Sequence, residues 1–182
     1  MSISTSIPGT GSSERLPEGR SVAATLAAVR VAAAFLWMSG AAWKTPPDFG
    51  QDSGGGLYRW VHFAVEYPVL PPYTWVVEHV VLTNFPIFGW LVLLTEAALG
   101  AFLLVGLLVR LVAGVAVLQT FAIMAATLNA PHEWPWSYYL MIAVHLLLIA
   151  FAAGRVYGLD GILRPIWRNS SRAGTRLLLS AS

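Results

Sequence analysis

Four apolar runs, near residues 22–43, 87–109, 111–129 and 136–153, constrain this chain more than any other feature. Each approaches the roughly 20 residues that a helix needs to cross a hydrocarbon layer about 30 Å thick. Within such a layer every backbone N–H and C=O must be paired inside the segment, so the runs are expected to be helices. Composition agrees, with 57% of residues hydrophobic and 11% charged, against about 25% charged in soluble domains. The pattern predicts an all-α membrane protein, an antiparallel four-helix transmembrane bundle with short interfacial helices in the first outer loop. Only Arg110 and its neighbours separate the second run from the third, which predicts a tight antiparallel hairpin there.

The absence of Cys excludes disulfides, thiol catalysis and Cys-held zinc or iron–sulfur clusters within this polypeptide. Net charge is +2, and the basic residues flank apolar runs instead of forming a patch, so no nucleic-acid partner is expected. No nucleophile elbow, phosphate-binding loop or dinucleotide fingerprint is present.

Residues 1–21, rich in Ser, Thr, Gly and Pro, read as a disordered cytoplasmic tail. The four-span membrane domain covers 22–165 with its outer loop at 44–86, and 166–182 reads as a basic cytoplasmic tail. Arg15, Arg20, Arg110, Arg155, Arg164, Arg168, Arg172 and Arg176 fall on one side of the spans, against Lys44 and Arg59 on the other. Because basic residues are retained inside during insertion, both termini are expected to be cytoplasmic. The outer side then gathers Asp48, Asp52, Glu66, Glu78 and Glu133 with His62, His79 and His132. Their spacing matches no ligand motif, and no metal site is expected. The outer-loop segments LYRWVHFAVEY and YTWVVEHVVLTN mix aromatics with charges and suit helices at the membrane interface. They form either a cap that seals the bundle or a lid over a pocket entered from the outer leaflet.

Ionisable groups inside spans cost about 2.5–3.5 kcal/mol each, which makes Arg30, Glu96 and His145 the first candidates for chemistry. Arg30 shares a helical stripe with Ala34, Trp37, Ala41 and Lys44. It either snorkels to the cytoplasmic interface or pairs with Glu96, whose estimated depth lies about 8 Å further outward. Glu96 lies on a stripe with Gly100, where a second helix can approach closely, and serves either as a proton relay or as a structural hydrogen-bond partner. His145, with Tyr138 and Met141 on its face, reads as an interhelical hydrogen bond or a haem ligand. No second His lies on a span, which counts against an intramembrane bis-His haem held by this chain. Gln119 and Thr120 are expected to add hydrogen bonds to the same interior.

Three stretches carry a family resemblance: RVAAAFLWMSGAAWK from Arg30 to Lys44, EAALGAFLLVGLLVR from Glu96 to Arg110, and EWPWSYYL followed by AAGRVYGLDGILR. In that order, over about residues 25–165, they resemble the DoxX/DoxD family, small four-span bacterial membrane proteins that include the large subunit of thiosulfate:quinone oxidoreductase. The resemblance implies a multi-pass protein of the bacterial inner membrane and a quinone-linked oxidoreductase subunit. It implies two-electron oxidation of a sulfur compound such as thiosulfate at the outer face, electrons passing to membrane quinone, and a second protein subunit or larger complex as partner. On this reading Glu96, Arg30 and His145 are the catalytic candidates, and Trp37, Lys44, Glu96 and Tyr138 the candidates for holding quinone, which an apolar bundle with a few convergent polar groups suits. The alternative is a noncatalytic membrane subunit that anchors or stabilises a larger redox or export complex. No Cys is available to carry a persulfide intermediate.

Overall fold

The structure is a computed structural model that describes residues 15–169 and 174–182, with side chains from residue 19 onward. Among the described residues every regular element is helical. The elements are α1 (Arg15–Ala42), α2 (Gly56–Glu66), α3 (Pro71–Val76), α4 (Phe85–Val105), α5 (Val109–Thr127), α6 (Pro135–Ala150), α7 (Leu159–Arg168) and α8 (Thr175–Ala181). A π-helical turn at Val77–Val81 and a 3-10 turn at Leu82–Asn84 join α3 to α4. The result is one apolar helical run over Pro71–Val105. Gly19–Ala42, Pro71–Val105 and Val109–Thr127 are long and apolar enough to cross a membrane, and α6 is a shorter apolar helix.

The expected runs thus reappear as α1, α4, α5 and α6, with two differences. The first helix begins at Arg15, inside the expected tail, whose remainder at 1–14 lies outside the described residues. The segment before α4 is not a separate interfacial piece but leads into it as a helix, because Pro71 and Pro72 begin α3 where a missing N–H costs nothing. Of the 166–182 segment, the described parts are helical, and α8 folds back against α7 and α5.

Large apolar side chains on α1, α4, α5 and α6 point away from the protein, with Leu94 61% and Leu118 69% exposed. The interior is built from small ones, including Ala33, Ala34, Ala113, Ala116 and Ala153. That inversion suits helices solvated by lipid, where close approach of small residues replaces hydrophobic collapse. The chain is a multi-pass membrane protein by this pattern. A Cβ on Gly100 would come within 2.5 Å of Met38 Cγ and 3.2 Å of the Ala34 carbonyl, so the helix that approaches Gly100 is α1.

α1 and α4 run in opposite directions: Arg30 meets Gly106 at one end, and Lys44 meets Glu96 towards the other. The α4–α5 turn is formed by Gly106 to Leu108, and Arg110 lies within α5. Gly106, at φ 71°, ends α4: its N–H bonds Leu103 and Phe102, and Leu107 N–H reaches back to Phe102 O at 3.0 Å. This closure requires a residue at ease in the left-handed region. Asp160 then caps α5 from across the fold, accepting Leu108 N–H at 2.7 Å and Val109 N–H at 3.0 Å while its own N–H bonds Gly106 O.

Candidate functional site

Between α4, α5 and the helices of the 44–86 segment lies a cavity of about 360 Å³. Trp43 and Lys44, just past the end of α1, line it, and α2 contributes Leu57, Trp60 and Val61. Tyr73, Val77 and Val81 come from the run leading into α4, whose own Phe85, Phe88, Val92 and Glu96 continue the wall. α5 closes it with Gln119, Ala122, Ile123, Ala126 and Thr127. Tyr73 OH donates to Ala122 O at 3.0 Å, which fixes α3 on α5, and Thr74 OH donates to Ala64 O at 2.9 Å, which fixes it on α2. The 44–86 segment therefore forms part of the cavity wall.

Polar groups are few. Lys44 and Glu96, 6% and 3% exposed, form a buried ion pair. Lys44 Nζ also donates to Gly40 O at 2.6 Å and lies 4.4 Å from the centre of the Trp43 ring. A Cβ on Gly40 would sit 3.2 Å from Glu96 Oε2, so glycine there leaves the carboxylate its place. Gln119 faces the same carboxylate.

The expected Arg30–Glu96 pair is not formed, and Lys44 takes that role. From the α4–α5 turn to Glu96 is about ten residues, or about 15 Å of helix, and Arg30 lies level with the turn itself. Counting depth from residue 22 sets Arg30 about 12 Å inside the span, whereas it lies at the span's end beside Gly106, which is why the two groups were expected to be closer than they are. Arg30 does not snorkel either: it is 2% exposed and donates from Nη2 to Tyr157 O at 2.9 Å. Its Nε and Nη1 find no partner among the described residues, and Asp160 is its nearby counter-charge. A Cβ on Gly106 or Gly158 would collide with Nη1, so both glycines make room for the guanidinium. The three sequence signatures meet here: Arg30 from the first, Gly106 from the second, and Gly158 and Asp160 from the third.

Trp37 Nε1 donates to His145 Nε2 at 2.9 Å. That assigns the imidazole proton to Nδ1, which donates to Met141 O at 2.6 Å. Both ring nitrogens are occupied, and the interhelical hydrogen bond is what His145 makes. Neither Trp37 nor His145 lines the cavity. Tyr138 stands one layer behind it: its hydroxyl is 2.8 Å from that of the cavity-lining Thr127 and donates to Glu133 at 2.5 Å. Of the six candidate residues, then, Lys44 and Glu96 reach the cavity, Tyr138 touches it through Thr127, and Arg30, Trp37 and His145 brace the helices. Sequence reasoning gave no role to Thr127, although its hydroxyl on the inward stripe with Ile123 is the kind of signal that marks a wall residue. Among the other polar candidates, His62 stacks on Tyr58, His79 on Trp75, and Glu66 pairs with Arg59 at 3.1 Å.

A family model described as TQO small subunit DoxD matches residues 57–181, more than half of the chain. No curated protein and no solved structure matches. The description names the small subunit, where the resemblance of the signatures pointed to the large one. The match holds two of the three signatures, and the first, Arg30 to Lys44, precedes it but packs its two charged residues into the matched part. The chain belongs to the DoxD family.

Proposed function

We propose that this protein is a membrane subunit of a quinone-linked oxidoreductase acting on a sulfur compound such as thiosulfate, and that quinone binds in the cavity above the Lys44–Glu96 pair. The observation that carries this reading is the cavity itself. It falls within the about 300–1,000 Å³ of small-molecule sites and combines an aromatic, apolar wall with a few convergent polar groups, namely Lys44, Glu96, Gln119 and Thr127. That suits a lipophilic ring with hydrogen-bonding oxygens. Lys44 is neutralised by Glu96 and Arg59 by Glu66, which leaves neither cation to attract a dianion such as thiosulfate. The sulfur chemistry therefore belongs on a partner subunit, with electrons delivered to the quinone here.

The protein sits in the bacterial inner membrane as a four-span antiparallel bundle of α1, α4, α5 and α6 with both termini cytoplasmic. The division of basic residues supports this orientation, and the burial of Lys44 leaves Arg59 as the exposed basic residue of the 44–86 segment. Since the chain has no native Cys, single cysteines report topology cleanly. A cysteine at exposed Ser53 should react with an impermeant thiol reagent in intact cells, and one at exposed Ser180 should react only after lysis. Reversed labelling would invert the bundle.

Quinone titration of protein purified from its own membranes, with its copurifying subunits, tests the ligand. Trp43 and Trp60 line the cavity, so saturable quenching of Trp fluorescence is expected. Glu96→Gln should weaken binding about tenfold, equivalent to about 1.4 kcal/mol. Unchanged fluorescence with no quinone on extraction would sink the quinone reading and favour a noncatalytic anchoring subunit.

A further inference from the structure

The cavity has polar groups at two separated levels. Gln119 faces Glu96 at one level, and Thr127 lines the wall at the other. Eight residues of α5 separate Gln119 from Thr127, about 12 Å along the helix. A para-quinone, with oxygens about 5 Å apart and a hydrogen bond of about 2.8 Å at each end, spans about 11 Å. A ring lying lengthwise would reach the Lys44–Glu96 pair with one oxygen and Thr127 with the other.

Behind Thr127 the hydrogen bonds continue. Thr127 OH is 2.8 Å from Tyr138 OH, and it also has Ile123 O at 2.8 Å as an alternative acceptor, so its proton has two resting places. Tyr138 is 7% exposed and its hydroxyl donates to Glu133 at 2.5 Å. Glu133 is half-buried and lies in the short connection between α5 and α6, where its other face meets the surroundings. Three proton-carrying groups thus stand in line from a buried wall to the protein's exterior.

We propose that Thr127, Tyr138 and Glu133 form a proton path between the cavity and the surface that carries Glu133. The proposal rests on the quinone reading above. Quinone plus two electrons, supplied by the reduced sulfur donor, plus two protons gives quinol. At the Thr127 end the new O–H bond forms with the threonine proton, Tyr138 refills Thr127, and Glu133 refills Tyr138 with a proton it takes up from the medium. The oxygen at the other end takes its proton from the Lys44 ammonium. Once the quinol leaves, water entering the cavity returns that proton to Lys44. Quinol oxidation runs the steps in reverse.

The test uses the full-length purified protein loaded with a short-chain para-quinol and oxidised by ferricyanide, which takes electrons without protons. Stopped-flow absorbance follows quinol loss, a pH dye follows proton release, and both are repeated in D₂O. Tyr138→Phe keeps the ring and removes the hydroxyl; it should slow proton release at least tenfold and change the solvent isotope effect, while quinone quenching of Trp fluorescence stays within twofold of wild type. Glu133→Gln, at a half-buried position, should do the same and serves if Tyr138→Phe does not fold. Tyr139→Phe, at an exposed neighbour, is the control and should match wild type. Normal binding with wild-type proton release in both Tyr138→Phe and Glu133→Gln overturns the path alone. Absence of quinone binding in the wild type overturns the quinone reading and the path with it.

Discussion

Lys44→Met and Glu96→Leu should each destabilise the detergent-solubilised protein by about 3–5 kcal/mol, while the double variant recovers most of that loss. Both side chains are 4% exposed, and each is the other's ion-pair partner. Removing one leaves a charge in an apolar interior with no counter-ion, and Gly40 O and Gln119 offer it only dipoles. Replacing both removes the desolvation cost together with the attraction, and the neighbouring Trp43 and Val92 are apolar. The pair joins α1 to α4, so the cost is felt by the main helix contact of the first half of the fold. A double-mutant cycle on thermal unfolding checks it. Additive single effects would mean that Lys44 and Glu96 act independently.

The second large effect is expected at the opposite end of the same helices. Asp160→Ala removes two charge-assisted bonds to the buried start of α5 and leaves Leu108 N–H and Val109 N–H unpaired. It also removes the carboxylate that faces Arg30, whose Nε and Nη1 already find no partner among the described residues. Each unsatisfied buried donor costs about 1–3 kcal/mol, so a loss of at least about 3 kcal/mol is expected. Asp160→Asn, which keeps one acceptor oxygen but not the charge, should fall between alanine and wild type. Denaturation in mixed detergent measures both, and a loss below about 0.5 kcal/mol for Asp160→Ala would show that the α4–α5 turn holds without it.

What the amino-acid sequence determined by itself is the set of four long apolar helices. Span length and apolar content are properties of neighbouring residues, and a membrane forces each apolar run to satisfy its own backbone; the α4–α5 break, expected at Arg110, falls instead at Gly106 to Leu108. The runs around 22–43, 87–109, 111–129 and 136–153 were therefore legible, as was the closeness of α4 to α5. The starting point of α1 was not, because polar residues at a helix end satisfy the backbone as well as a tail does.

The partners of the charges were decided only by tertiary structure. Whether Glu96 meets Arg30 or Lys44 depends on the axial offset between α1 and α4, and a shift of a few residues moves a side chain by several ångströms. That offset is set by where the turn at Gly106 fits around Arg30 and where Gly40 and Gly100 let the helices touch. The same holds for Tyr138, read as a wall residue but held one layer back because Thr127 stands between its hydroxyl and the cavity. The loop after α1 is a further case: Phe49, fully buried at φ 54°, packs where Gly89 lacks a side chain. Hydropathy along one helix specifies which face is apolar. Only the packing of several helices against one another, through contacts between residues far apart in the chain, specifies which polar atoms meet.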